Sequence, residues 1–164
     1  MENKKEMSVC FTGHRKIKNE DLPALVRRLD VLIDRCADAG CTNFIAGGAV
    51  GFDTLAAKRV IEARRRRPEI TLELILPCRD QTSRWKSLSD INTYRDLKGE
   101  ADRVEYLQIF YDAECMMKRN RKMVDSSSVC IAYFNGKSGG TANTVEYAKR
   151  QGLKVINLFL DKEK

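Results

Sequence analysis

Asn43-Phe44-Ile45-Ala46-Gly47-Gly48-Ala49-Val50-Gly51-Phe52-Asp53-Thr54-Leu55-Ala56 is the stretch that decides how this chain is read. A short strand runs into clustered glycines, and a helical apolar pattern starts directly after them. That joint, repeated, builds a parallel α/β sheet. It occurs twice more. Ser8-Val9-Cys10-Phe11 runs into Thr12-Gly13-His14-Arg15, and the β-prone run 128–133 leads through Asn135-Gly136-Lys137-Ser138 to Gly139-Gly140-Thr141.

Outward from these joints, strands and helices alternate to both ends. The spacing of Leu22, Leu25, Val26, Leu29, Leu32, Ile33 and Cys36 predicts a helix over 21–39, stopped by Gly40. A second helix, capped by Asp53 or Thr54, runs to Arg64-Arg65-Arg66-Arg67 and Pro68. A strand over 70–76 ends at Pro77. Residues 78–102 are the least periodic, with one helix around 90–99, and 104–107 reads as a short strand near one edge. Helices over 112–125 and 141–151 flank the fifth strand, and 155–159 is the last. The expected fold is a Rossmann-like three-layer α/β/α arrangement around a mainly parallel sheet, one domain over residues 1–164. Its strands need no polar face, because helices cover both sides.

Composition narrows the class. In 164 residues, 43% are hydrophobic and 32% charged, a folded rather than disordered balance. No apolar run reaches the roughly 20 residues of a membrane span, and Met1-Glu2-Asn3-Lys4-Lys5-Glu6 lacks an apolar signal region, so no membrane partner and a cytoplasmic location are expected. The six cysteines include no C-x-x-C pair, which argues against a zinc ribbon or thioredoxin-type site. One histidine rules out a multi-histidine centre. No metal or cofactor is called for, and the thiols are expected to be reduced and mainly buried. A net charge of +7 favours anionic partners. The Arg64–Arg67 run is read as a solvated helix end that complements the dipole, in preference to a nucleic-acid patch.

The three turns concentrate the chemistry. Each sets a helix N-terminus, with unpaired N–H groups, at the carboxyl edge of the sheet, where glycine lets an anion approach. Gly47, Gly48 and Gly51, followed by Asp53, match neither the dinucleotide fingerprint nor a Walker A loop, and close helix–strand packing is their competing explanation. Gly139 and Gly140, with Thr141 as cap and Thr144 one turn on, form a phosphate cradle, and Glu146 follows on the same helix. After Thr12 and Gly13, Arg15 suits a phosphate or carboxylate fork, and His14 is the one imidazole of the chain, set beside two other glycine turns. Arg119 and Asn120, late on their helix, are placed to grip a base or phosphate. Gln81 and Trp85 follow Pro77-Cys78, and the indole either stacks on a base or lids the core.

In that order these motifs resemble the YpsA-like branch of the SLOG superfamily, which joins Smf/DprA and Lonely Guy proteins. The resemblance runs from Val9 to about Leu158. It rests on Thr12-Gly13-His14-Arg15, the 47–53 turn, Pro77-Cys78 with Gln81 and Trp85, Arg119-Asn120 with Met123-Val124-Asp125, and Gly139-Gly140-Thr141. It implies a Rossmann-like fold that binds nucleotides or nucleotide-derived ligands, in sensors, enzymes or DNA-handling proteins. Lonely Guy phosphoribohydrolases carry an M-x-x-R helix and G-G-x-G-T-x-x-E. Here Met116 and Arg119 fit the first, and Gly139, Gly140 and Glu146 fit the second, but Ala142-Asn143-Thr144 replaces the second glycine and its threonine. The expected function is therefore a nucleotide-binding protein, a sensor by analogy. The first alternative is an N-glycosidic hydrolase of nucleoside monophosphates, with Arg119 holding phosphate or leaving group and Glu146 stabilising an oxocarbenium ion or positioning water. The second is a single-stranded DNA binder, for which the charge speaks and the 7% aromatic content does not. The resemblance also allows a homo-oligomer, since small proteins of the superfamily often assemble, although no heptad or unmistakable interface stripe marks one.

Overall fold

The computed structural model describes residues 4–160. In chain order the elements are β1 (Ser8–Gly13), α1 (Leu22–Asp38), β2 (Asn43–Ala46), α2 (Phe52–Arg66), β3 (Thr71–Leu76), α3 (Leu88–Glu100), β4 (Arg103–Tyr106), α4 (Cys115–Asp125), β5 (Val129–Tyr133), α5 (Gly140–Arg150) and β6 (Lys154–Asn157). All pairings are parallel, in the order β4-β3-β2-β1-β5-β6. The first four strands step outward in sequence. The chain then returns to lay β5 on the other side of β1, so the strand order reverses between β1 and β5. At that reversal the loops leaving the two strands diverge to opposite faces of the sheet.

Helices α1, α2 and α3 pack on one face over the larger core, where Leu25, Leu29 and Ile33 of α1 meet Phe11, Phe44, Leu72 and Leu74. Helices α4 and α5 cover the other face over a thinner layer, Met123, Val124 and Ala148 against Cys10, Ile45 and Cys130. That second face is not uniformly apolar, which corrects the sequence-based expectation. Ser8, Asn43 and Glu73 are buried there. The Asn43 amide donates to Ser8 Oγ (3.0 Å) and Glu73 Oε1 (3.1 Å), and Lys4 reaches Glu73 at 3.6 Å. Burial of these groups is tolerable because they satisfy one another. All six cysteines are buried and free, and Cys10 faces Cys130 across the β1–β5 register.

Helix starts differ in detail from the reading above. Neither Asp53 nor Thr54 caps α2, and Thr141 does not cap α5. Their N-caps are Gly51 and Gly139, with no side-chain cap bond. Helix α4 begins at Cys115 rather than 112, because Asp112 Oδ1 accepts the Glu114 N–H (3.0 Å) and holds a turn ahead of the helix. The arginine run is not merely solvated. Arg64 pairs with Glu100 and Asp102, Arg66 with Asp34, and Arg67 with Asp34, Asp38 and Glu69, tying the end of α2 to α1 and to the turn before β4.

Phe52, the first residue of α2, is fully buried. It stacks on Tyr133 (5.8 Å between centroids) and lies edge-on to Phe11 (6.3 Å), so one ring fixes α2 against both strands of the reversal. Phe52→Ala should cost about 3–5 kcal/mol, read from the urea unfolding midpoint.

Candidate functional site

The loops after β1, β2 and β5 meet on the carboxyl rim of the sheet and are bonded to one another. His14 N–H donates to the Tyr133 carbonyl (3.3 Å), and His14 Nε2 accepts the Asn135 N–H (2.9 Å). The imidazole therefore holds the β1 and β5 loops together with its unprotonated nitrogen. Phe52 N–H donates to the His14 carbonyl at 3.1 Å. That carbonyl occupies the start of α2, where an anion would have to sit.

The glycines divide into two kinds. A Cβ on Gly13 would come within 2.5 Å of the Phe52 ring, and one on Gly48 within 2.5 Å of the Leu76 side chain. At Gly51, where φ is +94°, a Cβ would run into the Arg15 backbone carbonyl. These glycines allow the chain to pack on itself. Gly139 (φ +142°) and Gly140 differ, since a Cβ on either would meet nothing within 4 Å. Both are exposed, and Asn143 N–H to Gly139 carbonyl (3.0 Å) is the first bond of the helix, so the N–H groups of Gly140, Thr141 and Ala142 precede the intrahelical ladder. Thr144 is buried, and its hydroxyl donates back to the Gly140 carbonyl at 2.9 Å.

Behind the β2 turn lies a buried charge cluster. Arg119, only 3% exposed, reaches from α4 to the Gly47 carbonyl and donates through Nε to Asn120 Oδ1 at 2.7 Å. A Cβ on Gly47 would touch both the Arg119 guanidinium (2.5 Å) and Asp53 Oδ2 (2.9 Å), so glycine is what lets these groups flank the turn. Burial pushes the Asp53 carboxyl up from its ordinary 3.8 to about 6, against the pull of Arg119, the Ala49 N–H and Arg15. Burial also lowers the Arg119 pKa, with Asp53 opposing it. Gln81 Oε1 and the Tyr94 hydroxyl are buried without a hydrogen bond among the described residues, and Trp85 sits half-buried and edge-on to Tyr94 at 5.4 Å, packed against the larger core.

Two hollows flank the rim. One, about 350 Å³, lies between α4 and α5 and is lined by Met116, Asn120, Gly140, Thr144, Glu146 and Tyr147, among others. Glu146 is exposed in it, whereas Arg119 does not line it and contacts it through Asn120 and, at 4.0 Å, the Met116 sulfur. The other hollow, about 370 Å³, opens between the β1–α1 loop, α2 and α3 and takes in Arg15 and Gly51. Thr12, at 7% exposure, is a buried strand residue and lines neither. Residues absent from the sequence reading also stand out. Ile109, Phe110 and Tyr111 are exposed on the β4–α4 loop at this rim, the Tyr111 N–H bonded to Asp80 (2.8 Å) and the Arg84 guanidinium 5.7 Å from the Tyr111 ring. No periodicity marks a loop, which is why these side chains drew no notice. Lys58, Ser89 and Thr93 line the second hollow, and their only sequence signal is i, i+4 spacing on two helices (Thr54 with Lys58, Ser89 with Thr93). Among the described residues no group of three or more His, Cys, Asp or Glu could hold a metal, and no helix is long and apolar enough to cross a membrane.

Comparison with known proteins agrees with this architecture. A model of the YspA SLOG family matches residues 9–158. Over 120 residues the chain is 30% identical to the uncharacterized SPbeta prophage-derived protein YoqJ of Bacillus subtilis (strain 168), covering 66% of this chain and 70% of that one. Among solved structures, DNA processing protein A of Helicobacter pylori, described for its single-stranded DNA binding mode, aligns over 96% of this chain and 67% of its own, with 17% identity and a TM-score of 0.67. Its counterpart from Streptococcus pneumoniae aligns over 98% of this chain but 53% of its own, with 13% identity and a TM-score of 0.69. The structural-genomics protein TM1055 gives 15% identity and a TM-score of 0.55 over 90% of this chain and 71% of its own. At such identities the likeness is one of fold.

The Asp53 shift carries a pH signature. With its folded pKa near 6 and its ordinary value at 3.8, folding takes up a proton between those values. The contribution is complete below about pH 4 and is lost as the pH rises through about 6, by an amount on the order of 3 kcal/mol. Asp53→Asn cannot ionise, so its stability relative to the parent should climb by roughly that amount from pH 4 to 7 in urea unfolding. A difference that stays flat with pH would mean that Asp53 is already ionised in the folded chain at pH 4.

Proposed function

The chain belongs to the YspA SLOG family, and on that footing we propose that it binds a nucleotide or nucleotide derivative, with a phosphate on the N-terminal turn of α5. The contrast among the glycines carries this reading. The turns at Gly13 and at 47–51 are filled by the protein's own atoms, while Gly139 and Gly140 face open space at the end of a strand bordering the reversal. The free N–H groups there and the positive end of the helix dipole favour an anion. The adjoining hollow supplies what the rest of a nucleotide needs: Met116 and Tyr147 as apolar surface, Asn120 and Asn143 as amides, and Glu146 as an acceptor for hydroxyls. Binding fits this geometry better than hydrolysis, which asks Arg119 and Glu146 to serve one bond although Arg119 is committed to Gly47 and Asn120 beneath the surface.

The direct test is thermal stabilisation by a panel of nucleoside mono- and diphosphates. Gly140→Val should abolish it while leaving the unliganded unfolding midpoint close to the parent's, since the added side chain enters open space. At a ligand concentration 100 times Kd the parent should gain about 2.7 kcal/mol. Undiminished stabilisation in the variant would remove the α5 turn from the site.

A second reading, binding of single-stranded DNA, is favoured by the exposed Ile109-Phe110-Tyr111 segment beside Arg79 and Arg84, since exposed aromatics among cations are a base-stacking surface. Fluorescence anisotropy with an oligothymidine at 50 and 200 mM salt decides it. Salt-sensitive binding that Phe110→Ala weakens at least tenfold supports DNA, and no binding at 50 mM salt discards it.

A further inference from the structure

The site proposed above lies on the α4–α5 side of the rim, and the hollow on the opposite side has no role in it. That hollow is walled by Arg15 of the β1–α1 loop, Thr54 and Lys58 of α2, and Ser89, Asp90 and Thr93 of α3. Three observations set it apart. First, its cations have no bonded counterion, although Arg15 pulls on the Asp53 carboxyl from a distance. The arginines at the end of α2 spend their charge on neighbouring acids, as does Arg59 on Asp30 at 2.8 Å, whereas neither Arg15 nor Lys58 makes a side-chain hydrogen bond or an ion pair among the described residues. Second, its hydroxyls face across one gap. Ser89 and Thr93 stand one turn apart on α3, opposite Thr54 and Lys58, which stand one turn apart on α2. The Thr54 proton is taken by the Ala49 carbonyl (2.9 Å), while the Ser89 and Thr93 hydroxyls donate to nothing among the described residues. Third, Ile17, Val50 and Leu55 add an apolar wall, and the volume of about 370 Å³ suits a small molecule.

We propose that this hollow is a second anion site, which takes the phosphate of a nucleoside monophosphate between Arg15, Lys58 and the hydroxyls of Ser89 and Thr93. A phosphate dianion accepts from several directions, and two cations with two hydroxyl donors on three separate segments supply them. Asp90 sets one negative charge against those two cations. Its carboxylate cannot take the phosphate, but it can accept ribose hydroxyls, and the apolar wall is left for the base. A ligand with only a phosphate would leave Asp90 and that wall unused. The proposal stands on residues separate from those of the α5 turn, so either can fail alone.

The experiment is an ¹⁵N–¹H amide titration of the whole chain with adenosine monophosphate, with inorganic phosphate as the base-free arm. The expected result is saturable shifts at Thr54, Lys58, Ser89 and Thr93, following their own binding curve and distinct from shifts at residues 139–144. Lys58→Glu should weaken the first set at least tenfold and spare the second, and Lys58→Arg should restore it. Lys58 is exposed on α2, and Thr93→Val, expected to lower the same affinity, gives a check that leaves the helix charge intact. Shifts confined to 139–144, or a Lys58→Glu variant that binds like the parent, would overturn the second site and leave the α5 reading standing. Shifts confined to the α2–α3 set would support it and overturn that reading instead. Inorganic phosphate binding as tightly as the nucleotide would overturn the assignment of ribose and base.

Discussion

A guanidinium with almost no access to water holds this fold's two halves in register. Arg119 belongs to α4, on the thinner face of the sheet, yet its charge lies against the β2 turn, whose helix packs on the other face. A cation buried so deeply is tolerable only when its protons are satisfied and a countercharge is near. The Gly47 carbonyl, Asn120 Oδ1 and, at 4.0 Å, the Met116 sulfur each take one of its protons, and Asp53 lies just across Gly47. Several features of the rim follow from that pairing. Position 47 has no room for a side chain, Asp53 must be drawn out of water, and Asn120 is turned so that one side holds the arginine while the other reaches the α4–α5 hollow.

The order of elements was legible in the sequence because each carries its own period. Leu25, Leu29 and Ile33 recur at helical spacing and are all fully buried, and the apolar strand runs pair in parallel as their alternation with helices requires. What escaped is what depends on long-range partners. The capping roles given to Asp53, Thr54 and Thr141 follow sound local preferences, but Asp53 is claimed by the Ala49 N–H and by Arg119, and Thr54 by the Ala49 carbonyl. The arginine run reads as a helix end, and only the structure brings Asp34, Asp38 and Asp102 to meet it. Ser8, Asn43 and Glu73 sit on three different strands, so their mutual satisfaction has no signature in any one of them.

The candidate site shows the same division more sharply. Three glycine turns look alike in sequence, since each follows a strand and precedes a helix. Their difference lies in what presses on them. Phe52 fills the space at Gly13 and the Arg15 backbone fills that at Gly51, so the first two turns are packed into each other, while nothing approaches Gly139 or Gly140. No local pattern could separate a glycine kept small by a neighbouring ring from one with open space beside it, because the ring that decides lies about forty residues away in sequence.

That division also explains why the rim carries two hollows instead of one crevice. His14 bonds to the β5 loop through its ring and to α2 through its carbonyl, and so closes the space directly above β1. With that seam shut, the loops can open only to either side, toward α4 and α5 or toward α2 and α3. The buried Arg119–Asp53 cluster lies behind the β2 turn, with Asp53 on the first turn of α2 and Asn120 on the α4–α5 hollow. Arg15, which lines the α2–α3 hollow, pulls on the Asp53 carboxyl, and Asn120, which lines the α4–α5 hollow, holds Arg119. An anion near Arg15 would offset the pull by which Arg15 lowers the Asp53 pKa, and so act in the same direction as the burial that raises it.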